Sequence, residues 1–203
     1  MIRVAIKLYE LKIDSSILTR RGGTDANAPE RLRTAILRDW HVGMSGPHFL
    51  DISGKCLKHN FKEYDHVLFS FHGLPERHVD KVYDESLCKD NDCESGVNEA
   101  NQFCYKATCY ETAIQLAKRF KLKKSNYSVG FQSRLGRGWI EPFSDEIIKE
   151  LAKKGVKKIL VFSPAFVADC LETTIEIGDE YQELFEEFGG EKVQLVESLN
   201  SSD

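Results

Sequence analysis

The chain has 203 residues, 41% of them hydrophobic and 30% charged, enough to bury one good core and to form about one domain. Its 28 Lys and Arg stand scattered among 32 Asp and Glu, for a formal charge of −4, which argues against nucleic acid as a partner. No stretch approaches the roughly 18 apolar residues of a membrane span, and the N-terminus lacks a basic-then-apolar signal pattern, so the expected compartment is the cytoplasm. Reducing conditions there disfavour disulfides, and the six cysteines need another explanation wherever they cluster.

In chain order, residues 1–35 carry little period: a strand or helix at 2–11, then a polar loop at 20–27. From Tyr64 to Val196 strand and helix alternate, which predicts an open, mainly parallel α/β sheet flanked by helices. The first strand holds Val67, Leu68, Phe69 and Phe71, and Gly73 and Pro75 stop it just after His72. Ligands of open sheets bind outside the carboxyl ends of strands, so His72 stands where chemistry is usually done; a histidine bonded to backbone as a strand cap is the alternative. A cysteine-bearing loop follows at 82–96, then a helix at 98–120 with Phe103, Ala107, Tyr110, Ile114 and Ala117 on one face. A strand at 127–131, a helix from Ser144 to Lys154 and a strand at 158–162 come next, the last halted by Ser163-Pro164. A long helix at 169–188 ends at Gly189-Gly190, and a strand at 192–196 closes the pattern. A doubly wound sheet places a covering helix after such a strand, so the fold reads as cut short at both ends.

Three segments carry the candidate chemistry. The first is the His72 strand edge. The second, Gly130-Phe-Gln-Ser-Arg-Leu-Gly136-Arg-Gly-Trp139, offers polar hands and a flat indole, a combination suited to a planar aromatic ligand with carboxylate arms; an ordinary loop with a core Trp fits the pattern equally. In the third, about 100° per residue places Glu172, Glu176, Asp179 and Glu183 on one stripe, opposite Leu171, Ile175, Tyr181, Leu184, Phe185 and Phe188. A solvated helix face has the same look.

Ser70-Phe-His-Gly-Leu-Pro-Glu-Arg77, Phe131-Gln-Ser-Arg-Leu-Gly136 with Trp139 and Pro142, and Ala168-Asp-Cys-Leu-Glu-Thr173 together resemble the ferrochelatases over residues 50–200. The resemblance implies a Rossmann-like chelatase half at 50–203 behind a poorly matched segment at 1–49. It implies a lyase of haem biosynthesis that inserts Fe²⁺, its substrate, into protoporphyrin IX to form protohaem. His72 would be the base and an iron contact, and Glu172 its partner across the cleft, either relaying protons or presenting the metal, with Glu176 and Asp179 extending a path of oxygen ligands for iron. Phe71, Trp139, Ser133 and Arg134 would bind the porphyrin, Arg134 through a propionate. Peripheral membrane contact and a complementing N-terminal half are further expectations. One departure is the glycine loop, where Arg137-Gly138 stands in place of three residues before Trp139.

Cys88, Cys93, Cys104 and Cys109 form C-x4-C-x10-C-x4-C without the C-x2-C pairs of zinc ribbons. Some bacterial ferrochelatases hold a [2Fe–2S] cluster on internal cysteines, and this loop is similar to theirs; zinc and free thiols stay open beside that reading. Cys56 and Cys170 read as unrelated. The competing functions are a non-catalytic module that binds a cluster or a porphyrin, and a cobalt-using tetrapyrrole chelatase.

Overall fold

Alternating apolar residues bury β1 (His66–His72) on both faces: Val67, Phe69 and Phe71 enter one core, while Leu68 enters the other. A computed structural model describes residues 58–200. The expectations for residues 1–49, the domain start at 50 and Cys56 fall outside them. Within the described residues β1, β2 (Tyr127–Gln132), β3 (Lys158–Phe162) and β4 (Lys192–Leu195) form one all-parallel sheet in the order β2-β1-β3-β4.

The open parallel α/β sheet is thus present, with helices on both faces. After the short α1 (Glu76–Val79), the long α2 (Tyr105–Phe120) buries Ala113, Leu116 and Phe120 against Phe69, Val129 and Phe131. On the opposite face lie α3 (Ser144–Lys153) and α5 (Tyr181–Glu187), whose Ile148, Tyr181 and Phe185 pack with Leu68, Val161 and Val193. Gly130 lets α3 approach β2 closely, since a Cβ there would lie 2.7 Å from Ser144 Oγ.

Two helices differ from expectation. The helix expected from residue 98 begins at Tyr105, because Asn side chains take the backbone groups that a first turn would use. Asn98 Oδ1 accepts from Ala100 N at 2.8 Å and Asn101 Oδ1 accepts from Asn98 N at 2.7 Å. The helix expected at 169–188 is three pieces: α4 (Leu171–Thr174), a π turn (Glu176–Glu180) and α5. The wider π turn puts residues four apart on one face, so Thr173, Ile177, Tyr181 and Phe185 are buried. Leu171 and Ile175, expected in the apolar stripe, are instead 73% and 43% exposed.

At the amino end of β1, His66 is buried with its Nε2 2.9 Å from Ser128 Oγ. Burial, aided by the Lys154 ammonium, holds this imidazole down from 6.5 to about 4. The folded state therefore favours neutral His66, and its contribution is present above pH 6.5 and lost as pH falls toward 4. Urea unfolding of the wild type is expected to lose about 3 kcal/mol more than His66→Gln between pH 7 and pH 4. Equal losses would remove His66 from the acid response.

Candidate functional site

The strand order decides where a site can form. From β1 the chain crosses to β2 on one side, and β3 lies on the other side of β1 with its own connection leading away to β4. The connections leaving the carboxyl ends of β1 and β3 diverge, and the crevice between them is the switch point where open sheets bind ligands. His72 ends β1, and the segment after β3 leads to Phe166 and Glu172.

His72 is half-buried, with its ring centroid 6.1 Å from that of Phe166. Its Nδ1 lies 2.6 Å from the Gly73 carbonyl, which can only accept, so Nδ1 carries the proton. The neutral ring then keeps a lone pair on Nε2. From behind, the Tyr105 hydroxyl donates to the His72 carbonyl at 2.8 Å. The backbone bond expected of a strand-capping histidine is thus present, and it also sets the tautomer a base requires.

Gln132 stands opposite His72 in the β1–β2 register and is buried to 1% exposure. Its Oε1 accepts from Ser70 Oγ at 2.7 Å and Ser163 Oγ at 3.4 Å. Ser70 spends its proton there, so Ser144 is the donor in the 2.8 Å Ser70–Ser144 contact. Gln132 Nε2 donates to the Glu172 carbonyl at 2.5 Å and to Glu176 Oε2 at 3.3 Å. Every hydrogen-bonding position of the buried amide is filled, and the amide ties the His72 strand edge to the start of α4.

Glu176 is the most engaged acid of the expected stripe. Ser133 N and Oγ donate to its two oxygens at 2.7 and 2.6 Å, and Tyr181 OH donates at 3.0 Å. Burial, with the Glu176 carboxylate close by, pushes the Tyr181 phenol up and keeps it a donor. Ser133 holds φ +61°, a left-handed conformation fixed by its two bonds to one carboxylate. Glu172 is half-buried in the first turn of α4, and Asp179 is exposed on the π turn.

The remaining expected residues divide. Trp139 packs on Gly73, where a Cβ would lie 3.2 Å from its ring, and pairs with Pro75. The short glycine loop closes on the same turn, as Glu76 N donates to the Gly138 carbonyl at 2.9 Å. Phe71, expected to line a pocket, lies in the core at 3% exposure, tilted against Phe131. Arg134, expected to meet a ligand carboxylate, pairs with Asp145 at 2.9 Å and Glu146 at 3.3 Å and stacks on Phe143. The acids of the α3 first turn hold it, and a ligand would compete with them. Ser70, Ser144, Ser163, Phe166, Tyr105 and Tyr181 were not among the expected site residues. The one sequence signal for them is a polar residue inside an apolar strand, as in Phe69-Ser70-Phe71.

The cysteines sort three to one. Cys88, Cys93 and Cys104 are buried with their sulfurs 3.4 to 3.6 Å apart. Contacts between the thiols, that with Cys88 foremost, pull the Cys104 thiol down, while the contacts with Cys104 and Cys93 push Cys88 up. Cys104 is the residue before α2, in extended conformation, rather than inside a helix as expected. Cys109 lies within α2 and outside the trio, buried, and burial pushes its thiol up. A [2Fe–2S] cluster takes four thiolates, two on each iron, and three of the four expected sulfurs lie within 4.8 Å of one another, with Cys109 outside that group.

The family model for ferrochelatase matches residues 22–203. The chain is 44% identical over 166 residues to the ferrochelatase of Legionella pneumophila strain Corby, covering 81% of this chain and 49% of that protein. It is 44% identical over 160 residues to that of Coxiella burnetii strain Dugway 5J108-111, covering 76% and 45% respectively. It is 49% identical over 159 residues to that of Pseudomonas fluorescens strain Pf0-1, covering 76% and 47%. The chain spans about half the length of these curated relatives. With its strand-edge histidine, glutamine-anchored crevice and all-parallel sheet, the chain belongs to the ferrochelatase family.

Proposed function

We propose that this chain supplies the metallating wall of a ferrochelatase that inserts Fe²⁺ into protoporphyrin IX. The observation that carries the reading is the His72 tautomer: Nδ1–H donates to Gly73, which leaves an Nε2 lone pair at the switch-point crevice. Insertion replaces two pyrrole N–H bonds by bonds to iron and releases two protons. His72 Nε2 accepts them in turn and passes each to solvent. Glu172, anchored through its carbonyl by Gln132, faces the ion as an oxygen ligand; hard carboxylates hold Fe²⁺ weakly enough to release it. Exposed Asp179 extends that path outward. Glu176 has a supporting role, because its oxygens already accept from Ser133, Gln132 and Tyr181. Trp139, packed on Gly73, and Phe166, whose ring centroid lies 6.1 Å from that of His72, frame the porphyrin. Because the relatives are about twice as long, the reaction is proposed for this chain together with a complementing half that completes the porphyrin pocket.

Metallation of protoporphyrin IX by Fe²⁺ or Zn²⁺ is followed by absorbance, with the full chain alone and mixed with the N-terminal half of a relative. In the active combination His72→Ala is expected to lower kcat by about 10²–10⁴-fold. An unchanged rate would take His72 off the proton path. Glu176→Ala is expected to cost about 3 kcal/mol of unfolding free energy, since it strands several donors at once, whereas Asp179→Ala stays within about 0.5 kcal/mol. Equal costs in urea unfolding would contradict the separation of the two acids.

A further inference from the structure

We propose that Cys88, Cys93 and Cys104 form a site for a single thiophilic divalent cation of the Zn²⁺ class, with Cys109 outside it. The sulfurs make a nearly equilateral triangle with sides of 3.6, 3.4 and 3.5 Å. Around a tetrahedral ion with metal–sulfur bonds of about 2.3 Å, neighbouring sulfurs lie about 3.8 Å apart, so the trio is already close to one face of such a tetrahedron. A binuclear cluster places its third thiolate on the second iron, away from the first pair, and needs a fourth. Three sulfurs in mutual contact are arranged around one centre.

The loop is built to hold this triangle. Asn101, 1% exposed, donates through Nδ2 to the Asn91 carbonyl at 3.1 Å and the Gly96 carbonyl at 3.0 Å, so one side chain spans the chain on both sides of Cys93. Asp80 accepts from Cys88 N at 2.9 Å, and Asp90 accepts from Leu87 N at 3.1 Å. The Tyr83 hydroxyl, 3.2 Å from Cys93 Sγ, is placed to donate to a thiolate and spread its charge, the outer-shell partner that metal ligands commonly have. Cys109 stands apart: it is buried on α2, one turn after the Tyr105 whose hydroxyl holds the His72 carbonyl.

The test uses the full chain, purified anaerobically, with Zn²⁺ and Co²⁺ as probes. The expected results are one zinc per chain by elemental analysis and, with Co²⁺, tetrahedral d–d bands plus sulfur-to-cobalt charge transfer. Cys88→Ser, Cys93→Ser and Cys104→Ser each lose the ion, while Cys109→Ala keeps a full equivalent. The wild-type cobalt spectrum requires no variant, so it decides the matter even if a serine variant fails to fold. Two irons with two acid-labile sulfides, lost in Cys109→Ala as in the others, would overturn the proposal in favour of a cluster. A protein that takes up neither Zn²⁺ nor Co²⁺ would overturn it in favour of free thiols.

Discussion

The site hangs on one buried amide. Gln132 closes β2 opposite His72, accepts from Ser70 in β1 and from Ser163 just after β3, and donates to the Glu172 carbonyl and the Glu176 carboxylate. A buried amide that is fully paired is rigid, because each lost bond would strand a group away from water. That rigidity joins three elements: the strand carrying the imidazole, the strand leading to Ser163, and the helix start carrying Glu172. Without it the acid and the imidazole would sit on separately moving segments.

The π turn continues the same arrangement. An α-helical turn through residues 176–180 would direct their side chains differently. Holding Glu176 to Ser133 and Tyr181 keeps the wider turn in place, and Ser133 accepts a left-handed backbone as part of that grip. Widened turns of this kind recur at functional sites for this reason: they redirect side chains within a helix that remains packed. Here Ile177, Tyr181 and Phe185 keep the packing while Asp179 and Glu180 stay exposed.

The cysteine insert and the crevice share a strand end. The insert leaves the sheet after His72 and returns as α2, whose first residue, Tyr105, holds the His72 carbonyl. Cys104 immediately precedes Tyr105, so the thiol triangle and the imidazole are anchored within a few residues of each other in space. Val82, Tyr83 and Val97 pack the insert against the core, and backbone bonds to Asn and Asp side chains hold its loops.

Local pattern alone determined much of this protein. Apolar runs closed by Gly or Pro located β1 and β3, and an acidic first turn with Lys near its end located α3, because burial and end effects act over a few neighbours. The motifs around His72, Gln132 and Glu172 were legible for the same reason, as short contiguous segments. Tertiary structure decided what depends on partners far apart in the chain. Glu176 reads as one of a stripe of acids until Ser133, 43 residues away, claims it. Arg134 reads as a partner for a ligand propionate, and the fold adds that Asp145, Glu146 and Phe143 engage its guanidinium; Phe71 reads as a pocket wall, and the fold buries it against Phe131. Four cysteines spaced C-x4-C-x10-C-x4-C offer one ligand set, yet the loop that Asn101 closes brings three together and leaves Cys109 outside, on α2. Spacing limits what can meet, whereas the hydrogen bonds and packing of distant residues select what does.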